Sequence, residues 1–302
     1  AMENLLRNHP YIDIGCYGEG EIPFVTILEN ISERLWSEIP SVGFIDSDNT
    51  FVRTPLANLI TDLNEIPSPY LEGIFDKLIS VRPEERWSAL WETNRGCPFN
   101  CSYCSWGASP KNKVRTYDME RILQEVDWFS RNKIEFVFCC DANFGLFKER
   151  DLRITERMAE NKKKYGYPQA FSIQSTKNAT ETIFKLNQIL NDAGLQRGVN
   201  LALQSVNKET LRSIKRSNIS MNTYRSLQRM FTDAGIPTFS YMIIGLPDET
   251  YDSFTSGVSS VIEEGQHNRI QFINLSILEN SEMAEPDYRQ KHVFILQECK
   301  MV

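Results

Sequence analysis

Histidine is scarce in this 302-residue chain; there are three, His9, His267 and His292, far apart in sequence. That leaves little material for a histidine-based metal centre or acid–base relay built from one motif. No stretch approaches the ~18 consecutive apolar residues of a membrane span, and the N-terminus has no apolar run of signal-peptide length. The sequence therefore predicts no membrane association and a cytoplasmic setting. Positive charge is also short. With 33 Lys and Arg against 40 Asp and Glu, the net charge of −7 has the wrong sign for holding a phosphate backbone, which argues against nucleic acid as a partner. The one basic run, Asn161 to Tyr167, reads as the solvated end of a helix, where cations suit the dipole. Cysteine is odd in number, seven, so in an intracellular setting a disulfide framework is a poor account of it. Metal binding or buried thiols must explain these residues. Internal repeats and low-complexity segments are absent too.

What is present is an ordinary globular composition, 41% hydrophobic, enough to bury one barrel-sized domain with an appendage. From about residue 85, β-branched runs alternate with amphipathic stretches of helical period, the pattern of repeated βα units. Candidate strands are Ser88 to Thr93, Ile134 to Cys140, Phe171 to Ser175, Val199 to Gln204, Thr238 to Ile244 and Ile270 to Ile277. Candidate helices are Asp118 to Asn132, Lys148 to Tyr165, Asn178 to Ala193, Lys208 to Lys215 with Met221 to Ala234, and Tyr251 to Glu264, with Gly194 and Gly235 as C-terminal stops. Six units are too few for a closed eight-stranded barrel. The predicted fold class is α/β, a partial (β/α)6 TIM-like barrel with a short N-terminal α/β remnant. Its ligands should sit at the carboxyl ends of the strands.

Residues 1–84 differ in texture: a short strand, a glycine loop at Gly18 and Gly20, an amphipathic helix, and the proline-marked linker from Leu63 to Gly73. This reads as the end of an α/β unit. Residues 85–280 form the barrel, and residues 281–302 are expected to begin a truncated C-terminal region without an identifiable packing partner.

The strongest chemical signal is Gly96-Cys97-Pro98-Phe99-Asn100-Cys101-Ser102-Tyr103-Cys104, directly after the first strand of the repeated units. Three thiolates at CxxxCxxC spacing can converge on a soft metal centre from one loop. A structural zinc site normally takes four protein ligands, and no histidine lies nearby to complete one. A 4Fe-4S cluster held by three cysteines keeps one iron without a protein ligand, which can then bind a substrate. Tyr103 beside the last cysteine offers either a stacking face or a shield against water. Both readings of the cysteines stay open at this point: a cluster, or zinc in a non-catalytic scaffold.

The motif resembles the radical S-adenosylmethionine (SAM) superfamily, whose signature is CxxxCxΦC with an aromatic Φ, matched at Cys97, Cys101, Tyr103 and Cys104. The resemblance implies a 4Fe-4S cluster on the three cysteines, with SAM chelated to the open iron. Reductive cleavage of SAM then yields a 5'-deoxyadenosyl radical. It further implies an electron donor such as flavodoxin or ferredoxin and a small-molecule or peptide substrate. No catalytic side chain can be named. SAM contacts implied at the other strand ends are Asp141 and Asn143 in CDANFG, Gln174 and Lys177, Gln204 and Ser205 in LQS, Arg216 in SIKRSN, and Gly245 in a segment similar to GxIxGxxE. Local alternatives stand beside these: an Asx turn for Asp141 and Asn143, helix capping by Ser205 or Asn207, a solvated helix end for Arg216, and a helix start at Glu249 and Thr250. Cys139 and Cys140 are read as packing thiols, because neighbours on a strand point to opposite faces. Cys16 and Cys299 have no evident partner.

The GEGEIPF segment, the IPSPY linker, DANFG and ILENSEMAEPDYRQKH together resemble the cobalamin-binding branch of that superfamily. Residues 1–84 then correspond to the C-terminal fragment of a cobalamin-binding-like domain plus linker. Many members transfer methyl groups to unreactive carbons, so methyl transfer is the expected parent activity, with cyclisation, epimerisation or methylthiolation as alternatives. Cobalamin itself is expected only of a longer parent, since a full cobalamin domain needs on the order of a hundred residues and no DxHxxG motif occurs here.

Overall fold

The computed structural model describes residues 2–108, 113–177 and 180–295. The chain separates into two compact units, residues 1–65 and 66–302. The division falls inside the proline-marked linker, between Glu65 and Ile66. Tyr70 of that linker packs on Trp128 and Phe129, at ring distances of 5.2 and 4.8 Å, so the linker from Ile66 onward belongs to the second unit.

The first unit runs α1 (Met2–Asn8), β1 (Ile14–Cys16), α2 (Glu21–Glu29), β2 (Val42–Ile45) and β3 (Phe51–Arg53). Its sheet has the order β1-β2-β3 and is antiparallel throughout, unlike the parallel pairing of a βα unit. The β2–β3 hairpin closes on Asp46, whose Oδ1 accepts from Asp48 N at 3.0 Å and Thr50 N at 2.8 Å, an Asx-type turn. Ile27 of α2 packs with Ile39, Val42 and Phe44 in a small core.

The second unit begins with α3 (Asp76–Val81) and β4 (Ser88–Trp91), followed by the two-residue strands β5 (Asn94–Arg95) and β6 (Arg115–Thr116). Then come α4 (Met119–Arg131), β7 (Phe136–Cys139), α5 (Lys148–Tyr165), β8 (Ala170–Ser172), α6 (Thr180–Asp192), β9 (Val199–Asn200), α7 (Lys208–Ser213), α8 (Met221–Asp233), β10 (Thr238–Ile244), α9 (Tyr251–Glu263), β11 (Arg269–Asn274) and α10 (Pro286–Lys291). All six expected strands are present and parallel. They pair as two three-stranded ladders, β4-β7-β8 and β9-β10-β11. The fourth strand is shorter than the sequence predicts. Regular pairing stops at Asn200, and Gln204, at φ +68° in the left-handed region, rejoins the ladder through an isolated bridge to Met242.

Helix placement follows the apolar period. On α4, Ile122, Val126 and Phe129 recur at i, i+4 and i+7 and are fully buried, with Phe129 edge-on to Trp91 at 5.5 Å. Around the second ladder, Ile183, Val199, Tyr224, Leu227, Phe231, Met242 and Val261 form one core, each such aliphatic or aromatic burial contributing roughly 1.5–3 kcal/mol. Caps agree with the expected boundaries. Asn207 Oδ1 accepts from Glu209 N and Thr210 N to start α7, and Thr250 forms a capping box with Ser253 to start α9. Gly194 and Gly235 follow α6 and α8 at φ +66° and +68°, and the lysines 162–164 close the last turn of α5. The expected start, at Asn178, of the helix before the fourth strand, and Cys299, lie outside the described residues.

The C-terminal segment does have a packing partner, contrary to expectation. Met283 and Tyr288 join Ile214, Ile243 and Leu246 in a core, with Tyr103 packed against it. Met283 N donates to Ser102 O at 3.0 Å, and the Tyr288 hydroxyl lies 3.1 Å from Ser102 Oγ and donates to Ser213 O at 2.9 Å. Among the described residues no helix is long and apolar enough to cross a membrane.

Candidate functional site

The cysteine loop leaves β5 at Gly96, whose φ is +110°. A side chain there would come within 2.6 Å of the Lys113 carbonyl, so only glycine lets the chain pass the returning strand into Cys97. The middle of the loop is pinned from two directions: Ser102 N donates to Ile214 O at 3.0 Å, while Ser102 O accepts from Met283 N. Cys97 and Cys101 are buried and Cys104 is half-buried.

All three cysteines line one cavity of about 180 Å³ at the carboxyl ends of the strands. Of the residues the sequence singled out, Tyr103, Asn143, Gln174, Lys177, Gln204 and Arg216 share its wall. Among the described residues, Lys177 and Arg216 are the charged ones on that wall, and no carboxylate lines it. Asp141, Ser205 and Gly245 lie outside the lining, for three different reasons. The Asp141 carboxylate is buried beneath the loop after β4. It accepts from Thr93 N at 2.7 Å, Asn94 N at 3.1 Å, Asn94 Nδ2 at 2.6 Å and the Thr93 hydroxyl. Burial raises its pKa, and those donors with Arg150 restrain the rise. Ser205 is buried, with Oγ accepting from Asn207 N at 3.0 Å. Gly245 provides a turn at φ +89° just past β10.

Arg216 is no solvated helix end. Its guanidinium donates to Asn218 Oδ1 at 2.7 Å, to the Tyr103 hydroxyl at 2.8 Å and to Ala202 O at 2.6 Å. Burial raises the Tyr103 pKa strongly; Arg216 opposes this, and a hydrogen bond with Cys101 adds to it. Asn143 Nδ2 lies 3.2 Å from Cys97 Sγ and Lys177 Nζ 3.6 Å from Cys101 Sγ, so two of the three thiols each meet a side-chain donor. Lys177 also sits 4.0 Å above the Phe99 ring, and burial lowers its pKa. Cys139 is fully buried and Cys140 half-buried on the opposite face; burial raises both thiol pKa values, as expected of packing thiols.

Asn218 was missed by sequence reasoning. Its Nδ2 donates to Leu203 O and Ser205 O, both at 2.8 Å, and so aims the guanidinium two residues earlier. The signal available was the polar pair at spacing i, i+2 in KRSN. Also missed was the β5–β6 pair that brackets the cysteine loop, because two-residue strands carry no readable alternation.

The residues fit an iron–sulfur cluster better than a single metal ion. Among the described residues, no three His, Cys, Asp or Glu side chains gather on one point as one metal ion would require. In a 4Fe-4S cluster each thiolate takes its own iron, so ligands spread around a cavity mouth suit it.

The sequence profile of the Radical SAM superfamily matches residues 91–256, which span the cysteine loop and the strand ends just described. The chain belongs to the radical SAM superfamily. Its cofactors are accordingly a 4Fe-4S cluster and SAM, and it is an enzyme. Among curated relatives, the cobalamin-dependent radical SAM methyltransferase TokK of Streptomyces tokunonensis is 36% identical over 288 residues, covering 94% of this chain and 42% of the relative. The 2-(S-pantetheinyl)-carbapenam-3-carboxylate methyltransferase of Streptantibioticus cattleyicolor is 35% identical, with the same coverages. The radical SAM chain thus spans 42% of the length of these two relatives. Among solved structures, the radical SAM methyltransferase TsrM of Kitasatospora setae aligns with a TM-score of 0.69 at 17% identity, over 92% of this chain and 54% of that one. The cobalamin-dependent radical enzyme OxsB aligns at 0.61 and 16% identity, over 97% of this chain and 42% of that one. At such identities the likeness concerns the fold, a TIM-like partial barrel.

Proposed function

We propose that this chain is the cluster- and SAM-binding core of a methyltransferase that acts on an unactivated carbon of a small molecule. The observation that carries the reading is a cavity that joins three cysteines to Lys177 and Arg216, with no carboxylate on its wall among the described residues. SAM brings a carboxylate to such a site, and two cations with several amides suit it. The methyl-transfer part rests on the two relatives above 30% identity, both named as methyltransferases. We read the two ladders as one (β/α)6 partial barrel, split where β8 and β9 share no ladder bond.

When bound, the cluster and SAM supply one-electron cleavage of a carbon–sulfur bond, chemistry that the protein orients and shields. Cys97, Cys101 and Cys104 are the ligands. Arg216, held by Asn218 and Ala202, offers its guanidinium to the SAM carboxylate and keeps the Tyr103 ring beside the cluster. Gln174, Gln204 and Lys177 complete the polar wall for SAM. Asp141 and Ser205 are assigned to holding their loops rather than to touching ligand. Trp106 at the cavity mouth and Phe99 keep water from the cluster. No step is assigned to cobalamin.

Anaerobic reconstitution followed by iron and sulfide analysis tests the reading, with SAM and a strong reductant added to a second sample. Four irons per chain and formation of 5'-deoxyadenosine or S-adenosylhomocysteine are expected. Zinc without iron, or no SAM turnover, would overturn it.

A further inference from the structure

Two side chains on the cavity wall face sulfur. Asn143 Nδ2 stands 3.2 Å from Cys97 Sγ and Lys177 Nζ 3.6 Å from Cys101 Sγ. These donors come from the ends of successive strands, β7 and β8, and the backbone fixes their relation. Phe144 N donates to Gln174 O and Thr176 N donates to Phe144 O, both at 2.8 Å, around the isolated bridge Phe144–Ser175. Asn143 precedes that bridge and Lys177 follows it. The bridge is anchored in turn: Phe144 is fully buried and lies edge-on to Phe171 at 5.9 Å. Asn143 is itself 7% exposed, so its amide has little access to water as a competing partner.

Resting on the cluster assignment above, we infer that Asn143 and Lys177 are positioning residues for the cluster thiolates that set its reduction potential, rather than SAM ligands alone. One electron enters the cluster from an external reductant, which is oxidised; no bond breaks and no proton moves in that step. The extra negative charge spreads onto the sulfurs. An amide N–H on one thiolate and an ammonium near another stabilise the reduced form more than the oxidised form, which raises the potential. Two donors carried on one backbone bridge keep this effect constant whether or not SAM is present.

The test is a dithionite titration of the reconstituted full chain without SAM, followed by the EPR signal of the reduced cluster. Asn143→Leu and Lys177→Met should each lower the equilibrium constant for reduction about tenfold, ~59 mV for a one-electron couple. Asn143→Gln and Lys177→Arg, which keep a donor, should recover most of that. Unchanged potentials at normal iron content in both donor-free variants would overturn the inference. Should Asn143→Leu lose iron, Lys177→Met decides alone, since its site is half-buried and its unbranched stem is retained. Failure of the unaltered chain to take up iron would instead count against the cluster assignment itself.

Discussion

The two ladders of the second unit meet the same cavity in different ways. The β4-β7-β8 half brings the cysteine loop and both sulfur-facing donors, and it is braced by buried charge. Asp141 holds Thr93 and Asn94, while Asp151 accepts from Gly145 N at 2.8 Å and Phe147 N at 3.1 Å and pairs with Arg150 at 2.8 Å. The β9-β10-β11 half brings Gln204 and Arg216 from an apolar core, braced by a neutral network. Tyr224 hydroxyl meets Ser240 Oγ and Gln228 Nε2 at 2.7 Å each, and Gln228 Oε1 accepts from Thr238. Under the proposed assignment, one half carries the cluster cysteines and the other the guanidinium offered to SAM. On that assignment SAM affinity can be lost while cluster content is kept.

The sharpest break is Cys101→Ala, which should leave less than about a tenth of the iron and sulfide of the unaltered chain and no SAM cleavage, because a cluster ligand is gone. Asp141→Ala follows: four donors lose their acceptor inside the protein, and the chain should lose about 3 kcal/mol in urea unfolding without iron. Burial holds the Asp141 carboxyl protonated to a higher pH than in the unfolded chain. Its share of stability is therefore complete below the ordinary carboxylate pKa and is lost as pH rises through the raised value; Asp141→Asn should flatten that slope in melts at graded pH. Arg216→Met, in the other half, should weaken SAM about tenfold by equilibrium dialysis, ~1.4 kcal/mol, with iron content unchanged. Simultaneous loss of iron would erase the division of labour. The smallest effect expected is Tyr224→Phe, about 1 kcal/mol of stability at an unchanged denaturant slope, with cluster and SAM binding intact.

Local features were legible. The cysteine spacing, the six strand positions and the caps at Asn207 and Thr250 are encoded within a few residues, and each is found where expected. Contacts between distant segments were not. Asp141 in CDANFG looks like a ligand contact in sequence, yet its partners lie 47 and 48 residues earlier. Arg216 in SIKRSN has a surface-like pattern, yet Tyr103, 113 residues away, draws it inward. The left-handed turn of the chain at Gln204 was also hidden, since glutamine carries no propensity signal for it. The tail from Ser281 read as unattached because its partners, Ser102, Ser213 and Ile214, come from two earlier loops.

That last attachment has a consequence in time. Tyr288 and Ser102 are 186 residues apart. At synthesis rates of about 5–20 residues per second, roughly ten to forty seconds pass between the emergence of the cysteine loop and that of the segment that pins it. Throughout that interval the three thiols are on a loop that has not reached its final form, exposed to stray oxidation. The cysteine loop thus takes its final form late, after Met283 and Tyr288 have docked on Ser102.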